Sequence, residues 1–334
     1  YPNTTKVVLP DNITKIGAYA FNLCSNLTEI QLQNNVTSIE TCAFSQTGLK
    51  EINLPSSLHN IGLNAFANCY NLETINGGEN VSTIAVDRGI GKEFADTLWY
   101  KNKQANKELI TLGHVVIDGS TLSGDVVIPE GMTQIMTGAF AIIDWSTHAN
   151  DKITSVSIPD SVTLISPYAF NQCTNLTSVT IPNNVTTIGN SAFSDCTKLS
   201  SVVLSNKLET IGYGAFARCN NLTNITLPDS LKSIGAKAFV GTGLSKIYIP
   251  SSVDTIKSGT LWGIGGYKAA PVDSPFFGCN TLKIYCGAPA KQAGWEAYWN
   301  CYYAKYVSGD AANTQYTNMA YLNAIYGVTR EQYN

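Results

Sequence analysis

Nine cysteines are the most conspicuous reactive groups in this 334-residue chain. Six of them, Cys24, Cys69, Cys173, Cys196, Cys219 and Cys279, share one slot of a recurring F-x-x-C pattern. A thiol can ligate a metal, attack an electrophile or close a disulfide, and spacing decides among these. Side chains repeated in register on stacked strands point the same way about 4.8 Å apart, whereas a disulfide needs β-carbons near 3.8 Å and turned toward each other. A metal site needs ligands that converge on a point, which parallel stacking does not provide. The spacing therefore predicts a column of buried free thiols. Cys42, Cys286 and Cys301 lie off the column, and Cys286 with Cys301 is the one pair left as a candidate bridge. Other chemistry is sparse. The histidines, His59, His114 and His148, are scattered, no metalloprotease, nucleophile-elbow or phosphate-loop motif occurs, and Gly89-Ile90-Gly91-Lys92 has neither the spacing nor the hydroxyl of a phosphate loop. Glu29 and Glu51 are the closest carboxylate candidates, and a solvated acidic edge is the expected role for them. No catalysis, metal or cofactor is expected.

The elements that position these residues come from an internal repeat. Phe170, Phe193 and Phe216 recur every 23 residues, as do Cys173, Cys196 and Cys219, and Leu176, Leu199 and Leu222. Phe21, Phe44, Phe66, Phe140, Phe239 and Phe276 continue the series. Within a unit the order is L-x-x-I/V-x-I/L-P, then V/L-x-x-I-G, then A-F-x-x-C-x-x-L. Leu176, Val179 and Ile181 alternate with Ser178 and Thr180, the signature of a strand with one face inward. Pro182, lacking an N–H, stops it. Val185 and Ile188 form a second inward edge, Gly189 permits a turn, and Ala192 and Phe193 fill the interior. One such unit cannot bury this apolar set alone, but stacked copies can.

This pattern resembles the BspA-like leucine-rich repeat, the Treponema pallidum type, of bacterial surface and secreted proteins. It covers about three quarters of the chain, with many apolar positions agreeing in register. The resemblance implies a curved right-handed leucine-rich-repeat solenoid of about ten coils of ~23 residues, with a parallel sheet on one face. It also implies an extracellular or cell-surface module for adhesion or binding.

Composition agrees with an ordered, neutral surface. Hydrophobic residues make up 44% of the chain, only 13% are charged, and the formal net charge is -3. This excludes a disordered chain and argues against a nucleic-acid binder. No apolar run is long enough to span a bilayer, and the chain starts at Tyr1 without the hallmarks of a signal peptide. The organisation expected is repeats over 1–84, an irregular extended coil over 85–125, repeats over 126–284 with loops near 143–151 and 257–274, and a cap and tail over 285–334. In 85–125, residues 94–100 suggest a short helix or loop, and residues 112–119 a hairpin with an Asp-Gly turn. Trp295, Tyr298, Trp299 and Tyr302 fall at helical spacing, giving either a docking stripe or, the favoured reading, a cap over the last coil. Residues 307–334 suggest a terminal helix or linker. Asn-x-Ser/Thr occurs nine times, including Asn35, Asn80, Asn175 and Asn184, and turn geometry within the repeat accounts for most copies.

Function is expected on the outward positions of the sheet. One column begins at Glu29 and Glu51, passes through Ser155, Ser178 and Ser201, and ends at Lys246 and Lys283. Its neighbour begins at Gln31 and Asn53 and ends at Tyr248 and Tyr285. Because aromatic and cationic side chains anchor interfaces, Lys246, Tyr248, Lys283 and Tyr285 are the favoured contacts, with Glu29 and Glu51 at the other end. The partner expected is a macromolecule, protein rather than glycan, bound by a monomer. The alternatives are a glycan-binding or glycan-processing protein, which Trp262 and the aromatic tail would favour, and a structural spacer that displays another domain.

Overall fold

The computed structural model describes residues 3–85, 94–141, 149–257, 274–279, 281–288, 290–295, 301–308, 315–321, 324–326 and 328–333. The chain divides into two compact units, the first comprising residues 1–122 and 131–139, the second residues 123–130 and 140–334.

Each unit is a stack of coils carrying two rows of short parallel strands. In the first unit, Lys6–Val8 pairs with Glu29–Gln31, and Glu51–Leu54 with Thr74–Gly77, in the first row. The second row joins Lys15–Ile16, Ser38–Ile39, Asn60–Ile61 and Thr83–Ile84. In the second unit the first row runs Gly124–Val127, Ile153–Ser157, Ser178–Thr180, Ser201–Val203, and separately Lys246–Ile249, Lys283–Cys286, Ala324–Tyr326. Its second row runs from Leu164–Ile165 through Thr187–Ile188, Thr210–Ile211, Ser233–Ile234 and Thr255–Ile256 to Gly294–Trp295. The register is the sequence repeat itself: Ser178 faces Ser201 and Thr187 faces Thr210.

The predicted inward residues are the core. Leu176, Leu199, Leu222, Val185 and Ile188 are wholly buried, and Val179 and Ile181 nearly so. Phe140, Phe170, Phe193, Phe216, Phe239 and Phe276 stack face to face with centroids 4.8 to 5.9 Å apart. Aromatic pairs left to themselves prefer offset or edge-on packing, so the strand ladder, not ring electrostatics, sets this geometry.

Several local expectations are corrected. Gly189 does not supply a left-handed turn; a β-carbon there would lie 2.5 Å from the Pro167 nitrogen of the preceding coil, so glycine is needed for close backbone approach. The left-handed residues come later, two per coil in fixed slots, as at Ser191 (φ 53°) and Asp195 (φ 62°), or Lys237 and Gly241. None of the residues in these slots is β-branched, consistent with the steric cost of that conformation.

The stretch 94–118 forms a helix, Leu98–Ala105, capped by the Thr97 hydroxyl, and then an antiparallel hairpin of Ile110–Leu112 and Val115–Asp118. Its turn is at Gly113-His114, not at the Asp-Gly dipeptide. Asp118 is buried instead, accepting from Gln104 Nε2 at 2.9 Å and the Ser120 amide at 3.1 Å. Phe94 extends the aromatic column, stacking on Phe66 at 5.5 Å.

The expected helical face at 295–302 is absent from the residues described there. Trp295 and Tyr302 lie in strands, Gly294–Trp295 and Cys301–Ser308, the latter antiparallel to Gln315–Tyr321. Dense aromatic and β-branched content favours strand here. Trp295 is buried, its indole N–H donating to the Val253 carbonyl at 3.1 Å. The only helix described in 307–334 is the four-residue Arg330–Tyr333. Tyr298, Trp299, His148 and Trp262 lie outside the described residues.

Candidate binding surface

The thiol column is built as a hydrogen-bond ladder. Cys196 Sγ donates to the Phe170 carbonyl of the preceding coil at 3.1 Å, Cys219 to Phe193 at 3.1 Å, Cys69 to Phe44 at 3.0 Å and Cys279 to Phe239 at 3.2 Å. Cys24, Cys42, Cys69, Cys173, Cys196, Cys219, Cys279 and Cys286 are free. Burial pushes Cys219 up to about 12 and holds Cys173 and Cys196 far above the usual thiol range. These are structural donors, poor nucleophiles at neutral pH. Cys286 is likewise a free, buried thiol, raised to about 12 by burial, which overturns its pairing with Cys301. Among the described residues no three His, Cys, Asp or Glu gather as a metal site.

Two coils depart from the repeat in the same way. Leu49 follows Phe44 by five residues and Leu244 follows Phe239 by five, where six is usual, and both coils read Thr-Gly-Leu. Threonine takes the thiol slot: Thr242 Oγ1 donates to the Phe239 carbonyl at 2.9 Å, and Thr47 Oγ1 lies 3.3 Å from Cys69 Sγ. In both coils the glycine sits tight against the preceding coil, a β-carbon falling 2.3 Å from the Ser25 oxygen at Gly48 and 2.5 Å from the Asn220 oxygen at Gly243. In the first, Glu51–Leu54 pairs forward in a different sheet from Glu29–Gln31; in the second, Lys246–Ile249 pairs forward while segment 222–228 before it joins no sheet, linked by a backbone bond from the Ser245 amide to the Thr223 carbonyl at 3.4 Å. The first-row ladder is thus interrupted on the N-terminal side of each shortened coil.

The first opening is a cleft of about 690 Å³ lined by residues that include Glu29, Gln31, Lys50, Glu51 and Asn53. Glu29 is ion-paired with Lys6 at 2.6 Å, and Glu51 accepts from Asn76 Nδ2 at 2.7 Å. Each carboxylate has its own exposed partner, so the two are not arranged as an acid and base sharing one reacting atom.

The second opening precedes Lys246–Ile249. Segment 222–228 keeps Ile225 and Leu227 buried without forming a regular strand. Beyond it, Lys246 faces Lys283 and Tyr248 faces Tyr285 in parallel register. Lys246 and Lys283 are exposed and Tyr285 is half-buried. Tyr248 is only 8% exposed, because Arg330 lies over its ring, with Cζ 4.7 Å from the centroid. In this arrangement Tyr248 offers a partner little surface. Sequence reading gave no sign of that cover, since Arg330 stands outside the repeat.

The Asn-x-Ser/Thr asparagines form another ladder. Asn35, Asn80 and Asn184 donate their side-chain amides to Asp11, Ser56 and Asp160 carbonyls of the preceding coil at 2.7 to 2.8 Å.

Stacked coils, a buried Phe column and two rows of parallel strands define a leucine-rich-repeat protein. A family model for the BspA type leucine rich repeat region matches in 6 copies over residues 1–87 and 141–264, well over half of the chain, which therefore belongs to that family. Similar solved structures include a leucine rich cell surface protein from Faecalibacterium prausnitzii (22% identity, 98% of this chain, TM-score 0.37), of which this chain covers 61%. A leucine-rich repeat protein from Bacteroides ovatus is 21% identical over 84% of this chain and 83% of its own (TM-score 0.36). The leucine rich repeat protein of T. pallidum is 23% identical over 66% and 78% (TM-score 0.29). No curated protein matches the chain. No helix among the described residues is long and apolar enough to cross a membrane.

Proposed function

We propose that the chain is an extracellular or cell-surface binding module that engages a protein partner through the outward side of its first-row strands and the loops between coils, without cofactor or catalysis. One observation carries the reading. The strands hold the same outward positions in strict register, while the residues there vary from carboxylate to hydroxyl to lysine. Lys246 lies directly opposite Lys283, so two cations stand side by side on the outward surface. Glu29 and Glu51 give the first unit the opposite charge. Trp295 is buried and contributes no exposed aromatic platform for a glycan.

The test is binding of the purified chain to matrix proteins, mucins, glycans and bacterial cells, beside a folded Lys246→Glu, Lys283→Glu variant. Saturable binding to a protein that falls at least about tenfold in the variant supports the reading. Binding to glycans alone, or to nothing, replaces it with the glycan or spacer alternative.

A further inference from the structure

The second ladder opening is already occupied, and its occupant defines a site. Arg330 Nη2 donates to the Leu227 carbonyl at 2.8 Å and to Asp229 Oδ1 at 2.6 Å, and its guanidinium covers the Tyr248 ring. The three contacts come from both sides of the opening. Leu227 lies in the segment that does not join the ladder, Asp229 in the turn after it, and Tyr248 on the first strand beyond. The ring is fixed from behind: a β-carbon at Gly287 would lie 2.5 Å from the Tyr248 hydroxyl, so that hydroxyl rests on glycine backbone. A carboxylate, a carbonyl and a π face around one planar cation are the components of guanidinium recognition.

The residues before Arg330 form the rest of the contact. Ala324–Tyr326 adds to Lys283–Cys286 as a parallel strand, with Tyr285 facing Ile325 and Cys286 facing Tyr326. The Val328 amide then donates to the Cys286 carbonyl at 3.0 Å. This is strand addition followed by an arginine anchor. It is also a slight attachment: three paired residues, one amide bond, and a cation whose carboxylate partner, Asp229, is 79% exposed.

We propose that Leu227, Asp229 and Tyr248, beside the edge of strand Lys283–Cys286, form a binding site for an arginine-bearing extended segment of a partner protein, for which Ala324–Tyr326, Val328 and Arg330 are the resident ligand. The proposal deepens the function above by naming the partner's chemistry, and rests on that reading only for the site's use in the cell. The first opening provides an internal contrast. Its equivalent positions are Leu32, Asn34 and Asn53, which keep the carbonyl but have neither carboxylate nor aromatic ring, so the guanidinium site belongs to the second opening alone.

The test uses the full chain and a fluorescent peptide of sequence AIYGVTREQY, residues 324–333. Against the Arg330→Ala chain, shown folded by circular dichroism, the peptide binds saturably and at least about tenfold tighter than against wild type, whose own arginine competes. Replacing the peptide's arginine by alanine, or adding Asp229→Asn to the chain, removes about tenfold of that affinity. Binding indifferent to both changes, or no binding to the folded variant, overturns the proposal. Should Arg330→Ala not fold, amide exchange of the Asp229→Asn chain decides: at least about tenfold faster exchange at Ile325, Tyr326 and Val328, with Ser178–Thr180 unchanged, supports the anchor, and unchanged exchange at all of them refutes it. Because the probe is the chain's own sequence, failure here leaves the partner-binding experiment standing, and the reverse holds too.

Discussion

Raising the pH should unfold this protein through its thiol column. Cys173, Cys196 and Cys219 are wholly buried, and each thiol donates its proton to a carbonyl of the preceding coil. Burial disfavours the thiolate, outweighing the neighbouring backbone N–H groups that favour it at Cys196 and Cys219, and raises each group above the ordinary thiol value of 9.0, to about 12 at Cys219. Stability from such groups is intact below pH 9. Above it the unfolded chain loses protons that the folded chain still holds, so stability falls as pH climbs, and the fall ends only above the folded values. Each such thiol contributes about 1.4 kcal/mol per pH unit in that window, so the three together remove about 4 kcal/mol between pH 8 and pH 10. That is a large share of the stability of an ordinary domain.

Urea unfolding at pH 7, 8, 9 and 10 in reductant reads the effect directly, as a midpoint flat to pH 8 that drops by about 1 M or more by pH 10. Cys196→Ser keeps a donor in the slot without a group that titrates in this range, so it should lower the slope by the contribution of one proton. A thiol reagent at pH 8 gives the companion measurement: Cys24 and Cys42, which are partly exposed, react quickly in the folded chain, and the column reacts only on unfolding. A midpoint that stays level from pH 8 to pH 10, or a slope unchanged by Cys196→Ser, would refute the argument.

Other consequences of the stack are open to the same kind of measurement. Phe193, sandwiched between Phe170 at 5.1 Å and Phe216 at 5.5 Å, should cost about 3–5 kcal/mol when changed to alanine, read as a urea midpoint, because close neighbours in the ladder cannot collapse into the gap. Gly235→Ala places a β-carbon 2.6 Å from backbone atoms of Gly212 and Tyr213; a loss of about 1–3 kcal/mol is expected, and a neutral result would show that the coils can separate there. Ser191→Val puts a β-branched residue at φ 53° and should cost about 1–2 kcal/mol, whereas Ser191→Gly should be nearly neutral or stabilising.

The legible part of the fold was whatever recurs. The Phe, Leu and Ile positions, the two strand rows and the free thiols follow from a 23-residue period and a requirement to bury apolar faces, and the pairing of Lys246 with Lys283 follows from matching the K-I-Y strand motif across the intervening insertion. What escaped is local. Phe94 lies in the stretch where the repeat's strand and turn positions lapse, which hides it from the series, although Phe94-x-x-Thr97 has the same spacing as Phe44-x-x-Thr47 and Phe239-x-x-Thr242, and the Thr97 hydroxyl donates to the Phe94 carbonyl at 2.7 Å as Thr242 does to Phe239. The slot selects a small side chain able to donate, a rule visible only once the ladder is seen. The hairpin at 110–118 turns at Gly113, whose left-handed backbone (φ 56°) only glycine fits there, since a β-carbon would lie 2.4 Å from the Val81 oxygen, a tertiary demand stronger than the Asp-Gly turn preference. Tyr248 could not be read as covered, since the residue covering it is 82 positions further along the chain.

The departures from the period bear most directly on function. A coil that obeys the repeat has its backbone bonded to its neighbours, its Phe and thiol slots filled, and its left-handed corners restricted in residue type. Only the outward first-row positions are free to differ, and a regular ladder presents them as a continuous surface with no recess. Shortening a coil by one residue changes this. Where Thr47-Gly48-Leu49 interrupts the ladder the opening becomes a polar cleft between Glu29 and Glu51, and where Thr242-Gly243-Leu244 does so the Leu227 carbonyl accepts from Arg330. The chemistry beside the two short coils is thus set by a few side chains, Glu29, Glu51 and Asn53 at the first and Asp229 and Tyr248 at the second. Under the binding function proposed above, specificity is set by the short coils and the few side chains beside them, while the buried columns that hold the stack together remain untouched.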